Sequence, residues 1–176
     1  MIVNHLRSLN DIADETPQGT GTVGGRVRAK RAAQAEFLGN LVQARLTPRP
    51  GERLLLVGDF NAFEFNDGLV DVIGTIKGAP AGAGSVVLAS PDLVNPNLVD
   101  LLEAAVLPAQ RYSYVFDGNA QVLDHLLASR ALLANVSLVS IMRGDADAPE
   151  TARNLADSPA RLSDHDGVVV YLKAAP

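Results

Sequence analysis

The chain has 176 residues, 47% of them hydrophobic and 20% charged, which describes one globular domain with a real core and excludes extensive disorder. A net charge of −5 argues against nucleic-acid binding by general electrostatic attraction, although local arginines and divalent cations can still meet phosphates. There is no cysteine, so disulfides, cysteine-ligated zinc and thiol catalysis are excluded, while either redox compartment remains open.

No apolar run reaches the roughly 18–20 residues of a membrane span, and the opening "MIVNHLRSLND" lacks the features of a secretion signal. Ile2 to Leu6 reads as a short buried strand carrying Asn4 and His5 toward its end. Asn10 to Gly25, rich in Gly, Thr, Asp and Pro, reads as a long loop, and loops of that length are usually functional or disordered. Arg26 to Leu46 has apolar residues at helical spacing and is stopped by "TPRPG". Arg26, Arg28, Lys30 and Arg31 crowd its start, which fits either a solvated helix end or a phosphate-contacting patch.

Arg53 to Val57 is a strand that delivers Gly58-Asp59-Phe60-Asn61. Helices are expected over Asp67 to Ile76 and Leu98 to Ala105, with a Gly/Ala/Pro loop after the first. Tyr112 to Phe116, a turn at Asp117-Gly118-Asn119, and Gln121 to Ala128 read as a hairpin. A short helical piece around Arg130 to Leu133 follows, then a strand from Val136 to Met142. A polar stretch from Gly144 to Leu162 leads to a last strand, Val168 to Lys173. The fold class expected is α/β, with a mostly antiparallel mixed sheet and helices on one face.

Four polar groups sit at strand ends: Asn4-His5, Asp59 with Asn61, Asp124-His125, and Ser163-Asp164-His165. Each alone also fits turn formation, because Asp and Asn are common after strands. Together they hold all three histidines of the chain. Sheet folds bring strand ends to one rim, where phosphate chemistry tends to sit. Carboxylate and amide oxygens without cysteine suit Mg2+, Mn2+ or Ca2+, and neighbouring histidines can act as acids, bases or charge stabilisers. That combination suits metal-assisted phosphate ester hydrolysis.

The segments "VNHLRS", "RAAQAEFLGNLV", "LLLVGDFNAF", "YSYVFDGNAQVLDHLLAS" and "LSDHDGVVVYL" resemble, in order and spacing, the C-terminal half of the endonuclease/exonuclease/phosphatase superfamily. Its members include pancreatic-type deoxyribonucleases, abasic-site endonucleases, sphingomyelinases and inositol phosphatases. "NHLRS", the Gly-rich loop and the helix after it are most similar to bacterial extracellular nucleases. The resemblance implies one half of a four-layer α/β sandwich. It also implies a divalent-metal-dependent phosphodiester hydrolase, most simply a nuclease on DNA or RNA, using Mg2+ with Mn2+ or Ca2+ as alternatives.

By the resemblance, His5 contacts the scissile phosphate, Asp59 orients or deprotonates water, and Asn61 holds the phosphate or a water. Asp124 pairs with His165, and Asp164 and Asp59 are metal ligands. Asn4, Arg26, Arg28 and Arg31 are candidates for substrate contact. His125, next to Asp124 on a strand, points to the opposite face and is assigned a structural role. Tyr112 and Tyr114 share one face of their strand and are assigned to packing, with substrate contact as the minority reading.

The family's first half supplies an Asn and a metal-ligating Glu, which neither Glu15 nor Glu64 replaces. Residues 1–176 therefore read as a single partial domain without its N-terminal half: a fragment, an alternative start or a misassigned gene boundary. An exposed apolar sheet face then predicts a homodimer packed sheet to sheet. The resemblance places the protein outside the cell, while a chain without a signal would stay in the cytoplasm. A phosphatase or sphingomyelinase of the same superfamily, and a catalytically dead self-associating module, are the alternative functions.

Overall fold

The computed structural model describes residues 1–152, 155 and 159–173. Part of the polar stretch expected over 144–162 thus lies outside the described residues. Strand β1 (Ile2–His5) opens the chain, and the loop after it contains the two-residue strands β2 (Pro17–Gln18) and β3 (Gly21–Thr22). Helix α1 (Val23–Leu46) follows. It starts three residues before the expected Arg26, because the Thr22 hydroxyl caps it by accepting from Gly25 N–H at 3.0 Å. Gly24 does not break the helix; its backbone lies so close to the preceding loop that a Cβ would meet the Ile12 carbonyl at 2.6 Å.

Strand β4 (Leu55–Asp59) carries the Gly58-Asp59 tip. Gly58 has φ +130°, and a Cβ there would meet the Asn4 carbonyl oxygen at 2.0 Å, so only glycine lets β1 and β4 approach. Helix α2 (Val72–Lys77) is shorter than expected. Asp67 and Asp71 instead bond nearby backbone N–H groups, and the Asp71 carboxylate caps the helix. The expected helix over Leu98 to Ala105 divides into strand β5 (Val99–Asp100) and helix α3 (Leu101–Ala105), with Asp100 capping α3 through Leu102 N–H at 3.0 Å.

The expected hairpin also divides. Strand β6 (Tyr114–Phe116) pairs with β7 (Asn119–Gln121) across Asp117 and Gly118, both at positive φ, a two-residue turn matched to strand twist. Strand β8 (Asp124–Ala128) leaves that hairpin and pairs with β4. A 3-10 turn over Arg130–Asn135 leads to β9 (Val136–Met142), which pairs antiparallel with β10 (Gly167–Leu172).

The main sheet has the order β1-β4-β8-β5, with β1 parallel to β4 and the other pairs antiparallel, which is a mixed α/β arrangement. Alternation along β4 divides the core. Leu54 and Leu56 join Ala35, Leu38 and Val42 of α1 and Ile73 and Ile76 of α2 in one cluster. Leu55 joins Leu126, Leu101, Leu102 and Val139 in a second. The sheet face away from α1 is therefore packed in part by α3 and the β9-β10 hairpin. Apolar exposure persists at Val3, Leu138, Met142 and Tyr171.

Candidate active site

Strand register builds the site. In the parallel pair His5 stands opposite Asp59, and in the antiparallel pair Asp59 stands opposite Asp124. Three side chains from distant parts of the chain are thereby set side by side across three neighbouring strand ends. His165 arrives from the turn before β10, where a backbone bridge to Tyr114 holds it.

The Gly58–Asn61 turn serves as both turn and site. Asn61 has φ +48°, and its backbone N–H donates to Asp59 Oδ1 at 2.7 Å. Its amide nitrogen donates to Asp59 Oδ2 at 2.8 Å and to the Leu6 carbonyl at 3.1 Å. Asn61 thus orients the Asp59 carboxylate and ties it to the chain just beyond His5. His5 Nε2 lies 3.4 Å from Asp59 Oδ2, with its side chain largely exposed. Burial pushes the Asp59 carboxyl up, and the nearby Asp124 charge adds to this; the bond from Asn61 offsets only part.

His165 Nδ1 and Asp124 Oδ2 are 2.7 Å apart. The Asp124 hydrogen bond pushes the His165 imidazole up in pKa more than burial lowers it, and the charges of Asp124 and Asp59 reinforce the rise. With Nδ1–H donated to Asp124, Nε2 is the atom left for chemistry. Asp124 is itself steadied from behind, since Ser113 Oγ accepts from Asp124 N–H at 3.1 Å and Leu123 N–H at 3.2 Å.

His5, Asp59, Asn61, Asp164 and His165 line one cavity of about 510 Å³, together with Ser8, Asn10, Tyr114, Phe116 and Gln121. Of the last five only Tyr114 was singled out from sequence; the place of the others depends on the loop after β1 and the β6-β7 hairpin folding over the strand ends. Tyr114 stands in the cavity wall, its ring 4.6 Å from that of His165. Tyr112, outside the strand, lies instead under the Arg143 guanidinium at 3.5 Å. The single strand face expected for the two is therefore not found, because β6 begins only at Tyr114.

Among the described residues, Asp59, Asp124 and His165 form a cluster whose ligand atoms all lie within 4.8 Å of one another, a set able to hold a divalent metal. Asp164 lines the same cavity but is exposed and stands outside that cluster. The donor chemistry, two carboxylates and one imidazole, fits a hard or borderline divalent ion.

The basic residues of α1 diverge. Arg31 is 1% exposed and its Nη1 donates to the Arg7 carbonyl, so its guanidinium braces the chain after β1 and is turned away from solvent. Gln34 completes that brace, accepting from Arg7 N–H at 3.0 Å. Arg28 is held by the Ile12 carbonyl at 2.8 Å and by Glu15 at 2.9 Å. Arg26 is exposed. Asn4 donates weakly to the Val57 carbonyl at 3.4 Å and lies outside the cavity that holds Asp59 and His165.

His125 is fully buried, as the alternation of β8 requires once Asp124 faces His165. Its Nδ1 meets Asp100 Oδ2 at 2.6 Å and its Nε2 meets the Ala62 carbonyl at 2.8 Å, so it links β5 to the residue after Asn61. Burial lowers its pKa, but the bond to Asp100, that carboxylate's charge and the Ala62 carbonyl outweigh this and leave it raised. Asp166, missed in the sequence, anchors the turn bearing His165. It bonds Arg143 at 2.8 Å and the N–H groups of Asp145 and Ala146 at 3.0 Å, while its own N–H reaches the Ser113 carbonyl at 2.7 Å. Burial pushes the Asp166 carboxyl up, but these donors and the Arg143 charge hold it below its usual range.

No family model matches the chain, and no curated protein matches it. Among solved structures it is similar to a point variant of the 3′ phosphatase NExo from Neisseria, bound to product DNA hairpin. The TM-score is 0.50 and the identity 17%, over 85% of this chain and 54% of that one. The chain spans about half the length of that protein, and the likeness is one of fold.

Proposed function

We propose that residues 1–176 form a partial domain of a divalent-metal-dependent phosphodiester hydrolase acting on nucleic acid. The observation that carries this reading is the alignment of His5, Asp59 and Asp124 across three strand ends, with His165 bound to Asp124 at 2.7 Å.

Asp59, with its carboxyl pushed up by burial and oriented by Asn61, is placed to take the proton of an attacking water as the new O–P bond forms. His165, its pKa raised by Asp124, is placed to offset the negative charge that grows on phosphoryl oxygens, and exposed His5 reaches the phosphate from the other side of Asp59. The leaving oxygen departs in line with the incoming one. Mg2+ or Mn2+ held by Asp59 and Asp124, with Asp164 as a further ligand from the same cavity, would supply Lewis-acid charge stabilisation. Arg26, exposed at the α1 start, is a candidate contact for a nucleic-acid backbone.

A second reading, hydrolysis of a terminal phosphate monoester, is favoured by the likeness to the Neisseria 3′ phosphatase. The same residues would serve both reactions, and secretion remains part of the nuclease reading.

The test is plasmid nicking with Mg2+ or Mn2+, run beside release of phosphate from a 3′-phosphorylated oligonucleotide. Asp59→Ala is expected to lower the active reaction about 10²–10⁴-fold; metal-dependent cleavage that survives this substitution refutes the role of Asp59. Calorimetric titration with Mn2+ provides a readout free of turnover. Binding abolished by Asp124→Asn supports the metal site, and no binding at millimolar metal favours a catalytically dead module.

A further inference from the structure

Directly beyond the Asp59–Asn61 turn lies a feature that the hydrolytic residues leave unused. The rings of Phe63 and Phe65 stack with centroids 5.3 Å apart and planes at 16°. Phe65 is 65% exposed, so one face of a fixed aromatic stack is turned to solvent. Both rings line a second cavity with Glu64, Arg111 and Gln121, and Gln121 also lines the cavity holding Asp59 and His165. That glutamine of β7 is the wall shared by the two spaces.

The loop bearing the stack is tethered. Glu64 Oε1 accepts from Arg111 Nη2 at 3.1 Å, and Arg111 Nη1 donates to the Glu103 carbonyl at 3.0 Å. His125 holds the Ala62 carbonyl one residue before Phe63. The aromatic surface is thus braced from the same frame as the candidate active site.

We propose that the Phe63-Phe65 stack is a nucleobase-binding subsite for the strand whose phosphodiester lies at Asp59 and His165. This rests on the phosphodiesterase reading and names its substrate class as a single-stranded or unpaired nucleic-acid segment. A molecule that joins a phosphodiester to a flat ring is a nucleotide, and an exposed stacked phenylalanine offers that ring a parallel π face. The polar lining from Gln121, Glu64 and Arg111 suits the hydrogen-bonding rim of a heterocycle and does not suit an acyl chain. Because every base has a π face, the subsite tolerates sequence.

The experiment is fluorescence anisotropy of the full chain with a labelled six-nucleotide DNA in EDTA, where hydrolysis plays no part. Phe65→Ala is expected to weaken binding roughly 5- to 100-fold, Phe65→Leu to weaken it similarly, and Phe65→Tyr to restore it. An oligonucleotide whose residues are all abasic should bind wild type as weakly as normal DNA binds Phe65→Ala. Wild-type affinity in Phe65→Leu, equal binding of the abasic strand, or no binding of DNA by wild type each overturns the proposal. Turnover of methyl 4-nitrophenyl phosphate, which has no base, is read in parallel with Mn2+. Its loss in wild type refutes the hydrolase reading, whereas its retention beside unaltered DNA binding by Phe65→Ala refutes the subsite alone.

Discussion

The buried pair of His125 and Asp100 gives the sharpest expectation about stability. Their side chains are 0% and 1% exposed, with Nδ1 and Oδ2 2.6 Å apart. Asp100→Ala leaves the imidazole without its partner, a loss of about 3–5 kcal/mol for a broken buried pair. It also removes the cap on Leu102 N–H, about 1 kcal/mol more. The total, about 4–6 kcal/mol, is a large part of the roughly 5–15 kcal/mol that holds a domain folded.

His125→Leu strands the carboxylate and carries a comparable cost. The double variant removes both charges and is expected to fall short of the summed losses by about 2–3 kcal/mol. Urea unfolding at constant m measures all four corners of this cycle. The sign with pH is set by the raised pKa of His125: its contribution is complete below about 6.5 and is lost as pH rises through the folded-state value. The gap between wild type and Asp100→Ala therefore narrows in alkali. Additive losses, or a cost for Asp100→Ala below about 1 kcal/mol, refute a coupled buried pair.

Asp124→Asn removes the main influence raising His165, so the His165 imidazole resonances should titrate at lower pH. The alkaline limb of any phosphodiesterase profile should move acidward with them, and an unmoved limb sinks the imidazolium role. Gly58→Ala drives a methyl against the Asn4 carbonyl, costing more than about 3 kcal/mol and about 6–12 °C in thermal midpoint; a drop under about 2 °C contradicts the close approach of β1 and β4. The expected homodimer would use the outward apolar residues Val3, Leu138, Met142 and Tyr171. Light scattering should then give twice the monomer mass, and a monodisperse monomer at high concentration rules the dimer out.

Much of this arrangement was legible in local pattern. The Gly58-Asp59-Phe60-Asn61 turn follows an apolar run, and strand alternation alone predicted that His125 would face away from Asp124. The two-residue β5 was not legible, since Val99 and Asp100 are extended only because Ala128 and Leu127 pair with them. Arg31 shows the same limit. Its place on α1 fitted a solvated helix end or a phosphate-contacting patch, but the segment following β1 folds onto that face and brings the Arg7 carbonyl to it. Asp166 carries no local signal beyond its position after His165, because its partners come from the end of β9 and the residues beyond.

The strand register that sets His5, Asp59 and Asp124 abreast also makes the cluster a reporter of folding. Its members come from distant parts of the chain, so no local hairpin or helix assembles them. The loop-closure entropy of the central sheet is spent before the first ligand pair exists, and His165 joins only when the β10 turn docks. A divalent ion recognising the complete cluster would bind the native state and leave earlier intermediates untouched. It would raise the midpoint of unfolding in proportion to the logarithm of its concentration without speeding the steps that precede sheet closure.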